Sequence, residues 1–140
     1  MDGKAIYLPV LVMMALTFAV WLRMFVVRVA QIKRDRIRPQ ALATSGQIAT
    51  LLTDSQAADN FRNLFELPVL FYAAVLIAAQ AGQVGLATLT FAWLFVALRI
   101  VHSAIHCTYN KVMHRFRAYF AGGVALWVLC AVVACNLLRG

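Results

Sequence analysis

Two charged residues, Glu66 and Arg99, interrupt long apolar stretches of this sequence. Glu66 leads into the run 67–77, and Arg99 lies inside the run 94–101. Charged side chains in such surroundings are costly unless they face the interior of a helix bundle and have a partner. The sequence therefore predicts that both side chains face the interior, and that Glu66 pairs with Arg99 on an antiparallel neighbouring helix.

More polar residues accompany each charge at helical spacing. Arg62 and Asn63 precede Glu66 by four and three residues, so the three side chains are expected to share one helix face. The same spacing rule predicts a second polar face with these members: Arg99, His102, Ser103, His106, Tyr109 and Asn110. Arg115 and Tyr119 follow. Together these residues predict a cationic cleft with a single acid, which suits a small anion that carries two carboxylates and an amine.

A metal or haem site is the alternative for His102 and His106, which are four residues apart. A metal would need further ligands, and the nearby Glu66 is better explained by its arginine partners. The cysteines Cys107, Cys130 and Cys135 form no Cys-x-x-Cys pair, and are expected to be small buried residues. We expect no bound metal.

The composition is that of an integral membrane protein. Of the 140 residues, 64% are hydrophobic and 13% are charged, whereas soluble domains carry about 25% charged residues. Four apolar runs, at about 6–27, 61–81, 86–107 and 119–138, approach the roughly 20 residues that cross a bilayer. The sequence predicts an all-α, four-helix membrane bundle that forms a single domain over residues 1–140.

The formal net charge of +8 reflects membrane topology and does not indicate nucleic-acid binding. The basic residues gather in two connections, one after the first run and one between the third and fourth. The positive-inside rule places both connections in the cytoplasm and both termini on the other side.

Pro68 leaves two readings open, because proline either kinks a continuing helix or lies at the start of a new one. Residues 37–59 are expected to be the only sizeable loop.

The motifs resemble those of the MAPEG family, the membrane-associated proteins in eicosanoid and glutathione metabolism. Its first signature resembles Arg62-Asn63-x-x-Glu66-x-Pro68, and its second resembles Arg99-x-x-His102-x-x-x-His106 followed by Arg115-x-x-x-Tyr119. The chain departs from the family where His106 replaces a tyrosine, and where one residue instead of two or three separates Glu66 from Pro68. The resemblance covers essentially the whole chain.

The resemblance implies a homotrimer that binds glutathione in clefts between subunits, and a small lipophilic substrate that comes from the bilayer. It implies that Arg62, Asn63 and Glu66 contact glutathione, with Glu66 at the amino group. Arg115, rather than Arg117, would stabilise the thiolate, because Tyr119 lies four residues later. The remaining glutathione-binding residues in this view are Lys33 or Arg34, Arg99, His102, His106 and Tyr119.

The expected function is that of a glutathione transferase or peroxidase in a bacterial cytoplasmic membrane. Two other functions remain open at this point. A non-catalytic, lipid-binding scaffold with the same fold would bind a lipophile and show no turnover. A small proton-coupled transporter would use Glu66 as its coupling carboxylate, although neighbouring arginines oppose the protonation that such a role needs.

Overall fold

A computed structural model of the chain describes residues 3–139, and every regular element within that range is helical. The helices are α1 (Tyr7–Arg34), α2 (Ser45–Leu51), α3 (Gln56–Asn63), α4 (Leu67–Gln80), α5 (Leu86–Cys107) and α6 (Val112–Arg139), with short 3-10 turns at Gly3–Ile6 and Pro39–Leu42. Four segments are long and apolar enough to cross a membrane: Lys4–Arg34, Gln56–Gln80, Leu86–Cys107 and Val112–Arg139. These findings confirm the predicted all-helical architecture and agree with four candidate membrane spans.

The core lies between the spans, with α5 at its centre. α5 packs most extensively along α6 and also contacts α1 and α3. α4 lies against α6 and meets α5 where the rings of Phe71 and Phe95 stack, with centroids 4.9 Å apart. Many large apolar side chains point outward, as expected for helices surrounded by lipid. Cys107 is buried as predicted, whereas Cys135 is exposed because it lies on an outward face of α6.

The second span is not one continuous helix, because α3 ends at Asn63 and α4 begins at Leu67. The backbone N–H groups of Phe65 and Glu66 bond to the carbonyls three residues earlier, at 3.0 and 3.4 Å, in a tight turn. Pro68 lies in the first turn of α4, where its missing N–H leaves no helical bond unmade. Of the two readings of Pro68, the start of a new helix is the one that the structure adopts.

The break at residues 64–66 overturns the predicted position of Glu66. Arg62 and Glu66 do not share one helix face, because they belong to different helices separated by a turn. The side chain of Glu66 is exposed on the surface of the chain and does not face the bundle interior.

The connection after α1 contains more structure than the predicted loop over 37–59. Thr44 and Gln47 form a capping box that starts α2, in which each side chain bonds the other residue's backbone N–H, at 3.3 and 3.1 Å. The buried amide of Gln31 donates to the carbonyl of Leu51 at 3.3 Å and accepts from the N–H of Asp54 at 3.2 Å. These bonds hold the connection against the end of α1.

The link between α5 and α6 is only four residues long. Asn110 adopts a left-handed backbone conformation (φ 46°), which asparagine tolerates better than most residues. Because α5 ends at Cys107, Tyr109 lies beyond the helix and is exposed. The predicted places of Tyr109 and Asn110 in the polar face of α5 are therefore wrong. We refer to the end of the bundle that contains this link and the end of α1 as the basic end.

Candidate functional site

A buried polar face runs along the second half of α5. Arg99, His102, Ser103 and His106 recur every three or four residues, and each is at most 3% exposed. This spacing places all four on the side of α5 that packs inside the bundle. The predicted polar face is thus present over these four residues, in a helix that otherwise carries apolar side chains.

Arg99 is a buried cation that forms no ion pair with any described residue. Its side chain is 1% exposed, and its guanidinium carbon lies 4.8 Å from the ring centre of Tyr119 and 5.3 Å from that of Phe95. Within residues 3–139, none of its three guanidinium nitrogens has a hydrogen-bond partner. Aromatic faces attract a cation, but they do not accept the hydrogen bonds that its N–H donors can form.

The predicted ion pair between Glu66 and Arg99 is not formed. Over the described part of the chain, the ion pairs join Arg34 to Asp35 and Asp54, and Arg62 to Asp59. Glu66 is absent from these pairs because the turn before α4 leaves its carboxylate on the outside of the bundle.

A cleft of about 220 Å³ adjoins this face at the basic end. The end of α3 supplies Asn63, α5 supplies His102, and the first two turns of α6 supply Arg115 and Tyr119, with apolar walls from Val112 and Phe116. Arg99 lies about 12 Å from the end of α5, and Tyr119 lies about 10 Å from the start of α6, at 1.5 Å per residue. The two side chains therefore meet at a similar depth.

Hydrogen bonds and ring contacts fix the walls of the cleft. The Nδ1 atom of His102 is 3.2 Å from the backbone carbonyl of Arg115, and the His102 ring lies 5.7 Å from the ring of Tyr119. The guanidinium of Arg115 donates to the side-chain oxygen of Asn110 at 2.7 Å. Arg115 is thus held at the mouth of the cleft with donor groups to spare.

His106 packs behind His102, with ring centroids 5.6 Å apart. Its Nδ1 atom, like the Nε2 atom of His102, is buried and has no hydrogen-bond partner in the described residues. Residues 3–139 contain no group of three or more histidine, cysteine or acidic side chains that could hold a metal. The unpartnered nitrogens and the cations beside them suit an anionic ligand with hydrogen-bonding groups.

Other predicted binding residues lie outside this cleft. The side chain of Arg62 is 79% exposed and lies 4.0 Å from Asp59. Lys33 and Arg34 are exposed at the end of α1, where Arg34 contacts Asp35 at 2.9 Å. The hydrogen bond from Arg34 holds the pKa of the Asp35 carboxyl below its usual range.

Arg115 and Arg117 lie on different sides of α6. Arg115 lines the cleft with His102 and Tyr119, whereas Arg117 lines an open groove on the other side of the α5–α6 pair, beside Val101. The i, i+4 spacing of Arg115 and Tyr119 places them on one face, and a shift of two residues turns Arg117 away.

Two residues that the sequence reasoning did not select support the polar face. Asn60 is fully buried, accepts a bond from Ser103 at 3.3 Å and donates to the sulfur of Cys107 at 3.4 Å. Arg23 donates to the backbone carbonyl of Cys107 at 2.8 Å, at the C-terminal end of α5. Asn60 lies three residues before Asn63 on the same helix, and this spacing was the available signal.

A larger apolar groove lies between α1 and the broken second span. It encloses about 600 Å³ and is lined by aliphatic and aromatic residues, with the hydroxyls of Thr17 and Tyr72 as its polar groups. Leu64 lines this groove while the preceding residue, Asn63, lines the polar cleft. The end of α3 therefore separates a site for polar groups from a site for apolar ones.

The chain was compared with models of known protein families. The MAPEG family model matches residues 6–135, nearly the whole chain. No curated protein and no solved structure is detectably similar to the chain.

Proposed function

The chain belongs to the MAPEG family, and we propose that it binds glutathione in the cleft beside Arg99. The observation that carries this proposal is the buried Arg99 guanidinium, whose nitrogens lack partners within the described chain. A buried charge without a partner is strongly destabilising, so a protein that keeps one gains from a ligand that supplies the missing charge. Glutathione offers two carboxylates, and the family is associated with its metabolism.

The residues of the cleft have complementary roles in this proposal. Arg99 does not line the cleft but lies against the ring of Tyr119, and from there it supplies positive charge next to the ligand. Asn63, His102 and Tyr119 supply hydrogen bonds to the peptide. Arg115, at the mouth of the cleft, favours the thiolate over the thiol because a nearby guanidinium stabilises negative charge. Glutathione, once bound, supplies the sulfur nucleophile that attacks an electrophile or reduces a peroxide. Such chemistry on a lipophilic substrate would make the protein a glutathione transferase or peroxidase.

A homotrimer belongs to the same proposal, because charged residues of a membrane span are exposed in the single chain. Glu66 and Arg62 both lie in the segment Gln56–Gln80, where a charge facing lipid costs about 3 kcal/mol. A neighbouring copy would cover these charges and bring its Lys33 or Arg34 toward a glutathione carboxylate. Glu66 would then meet the ligand's amino group at the subunit boundary. We place this trimer in a bacterial cytoplasmic membrane.

Isothermal titration of the detergent-solubilised protein tests the binding step. Glutathione is expected to bind saturably, and S-methyl glutathione is expected to bind as well, since the charges that Arg99 attracts are unchanged. The absence of saturable binding for both ligands would overturn the proposal.

A second function is favoured by the apolar groove of about 600 Å³. A scaffold that binds or presents a lipophile would need such a groove and no reactive thiolate. The two functions differ in what Arg115→Gln does to turnover of chlorodinitrobenzene with glutathione. An enzyme loses most of its activity, whereas a scaffold shows none in either form and retains binding of the lipophile.

A further inference from the structure

The groove on the outer side of the α5–α6 pair has no part in the proposed glutathione site. It encloses about 460 Å³, and its α5 wall is formed by Leu98, Val101 and Ile105. α6 contributes small residues there, including Ala118 and Ala121. The two helices approach closely just beyond the groove, where a Cβ added at Gly122 would lie 3.6 Å from the Cβ of Leu98. The result is an apolar groove on the outer surface of the α5–α6 pair.

One end of this groove is cationic. Arg117 and His114 line it at the basic end of the bundle, and the ring of His114 is 3.2 Å from the hydroxyl of Tyr109. Neither α5 nor α6 contains an aspartate or glutamate. Arg117 forms no ion pair with any described residue. The positive charge at this end is therefore not neutralised by its own helices.

We propose that the groove binds one anionic phospholipid. Its phosphate lies at Arg117 and His114, and one acyl chain follows the wall from Ile105 to Leu98. Those eight residues span about 10 Å of helix, enough for the upper part of an acyl chain. Basic pockets between membrane helices bind anionic headgroups in this way, and the long arginine side chain reaches the headgroup level while its stem stays in apolar surroundings.

The identity of the ligand follows from the cationic end and the apolar wall of the groove taken together. A free phosphate would satisfy Arg117 but would leave the apolar wall without a partner. A neutral lipid would fill the wall but would leave the uncompensated charge. An anionic phospholipid matches both, and it is present in the bilayer that surrounds these helices.

Native mass spectrometry of the protein released from mixed vesicles tests this inference independently of glutathione binding. In equimolar phosphatidylglycerol and phosphatidylcholine with identical acyl chains, the protein is expected to retain phosphatidylglycerol preferentially. Arg117→Gln is expected to lower that retention about fivefold, the effect of one basic residue near an anionic headgroup. Equal retention of the two lipids by the unaltered protein would overturn the inference.

Two further variants separate the groove from general surface charge. Lys111→Gln removes the same charge at the same end, outside the groove, and is expected to leave the retention unchanged. Val101→Trp fills the apolar wall and is expected to lower it while Arg117 is intact. An equal loss in Lys111→Gln, or full retention in Val101→Trp, would contradict the proposal. Competition by soluble glycerophosphoglycerol would also contradict it, because the headgroup alone would then suffice.

Discussion

Arg99 and Arg34 are the same residue type in opposite surroundings. Arg99 is 1% exposed, lies against two aromatic rings and has no hydrogen-bond partner for its guanidinium in the described chain. The side chain of Arg34 is 61% exposed and contacts Asp35 at 2.9 Å and Asp54 at 3.3 Å. The arginines of this chain therefore differ in role, and their number alone does not indicate a function. The solvated arginine is paired within the chain, whereas the buried one has no partner in the described residues, and our proposal assigns it to a ligand.

The largest effect is expected for Arg99→Met, which keeps the volume and removes the charge. Loss of a charged hydrogen-bond donor costs about 1.5 to 3 kcal/mol, so glutathione affinity should fall at least about tenfold. The melting temperature without ligand should rise, because an unpaired buried charge is removed. Thermal unfolding with and without glutathione measures both effects. A variant that melts at a lower temperature and is still stabilised by glutathione as much as the unaltered protein would contradict the proposed difference between Arg99 and Arg34.

The second prediction sets Arg115 against Arg117. Arg115→Gln should reduce turnover with an electrophile about a hundredfold, as removal of one charge-stabilising donor typically does. Arg117→Gln makes the same chemical change two residues away, on the other side of α6, and should leave turnover within about twofold. Initial rates at saturating glutathione test the pair, and equal losses in both variants would mean that general positive charge controls the reaction.

Asn60→Ala should have a smaller effect that acts through stability. The substitution removes the bonds of Asn60 with Ser103 and Cys107, and should cost about 2 kcal/mol at roughly 1 kcal/mol per bond. Asn136→Ala is the matched control on a partly exposed position of α6, where a change within about 0.5 kcal/mol is expected. Denaturant unfolding measures the free energy of unfolding of both variants. Equal losses in the two variants would show that the hydrogen bonds of Asn60 do not support the polar face.

The smallest effect is expected at the solvated arginine. Arg34→Gln breaks two exposed ion pairs, which contribute little to stability because water screens them. The difference from the unaltered protein should shrink further at high salt, because exposed pairs are screened. Unfolding curves at low and high salt measure the loss of stability. A large loss that does not depend on salt would contradict the view that Arg34 is a solvated residue in exposed ion pairs.

Periodicity and composition were sufficient to predict much of this structure. The four spans follow from apolar runs of bilayer length, and the polar face from Arg99 to His106 follows from helical spacing. These features are local, so a single sequence carries them. The same holds for the separation of Arg115 from Arg117, which the spacing to Tyr119 anticipated.

The partners of the charges could not be predicted in this way. The Glu66–Arg99 pair was inferred from a second span treated as one helix, and a turn at residues 64–66 moves Glu66 to the outside. Proline is compatible with either a kink or a helix start, and the choice depends on tertiary packing. The contact of Asn60 with Cys107 joins residues 47 positions apart, a distance at which spacing carries no information.

A structure of the protein determined with bound glutathione tests whether Arg99 binds a carboxylate of this ligand. We expect a glutathione carboxylate within hydrogen-bonding distance of the Arg99 guanidinium, and the sulfur on the side of Arg115. A bound glutathione that leaves Arg99 without contact, or an Arg99 side chain paired with a carboxylate of a neighbouring copy instead, would contradict it.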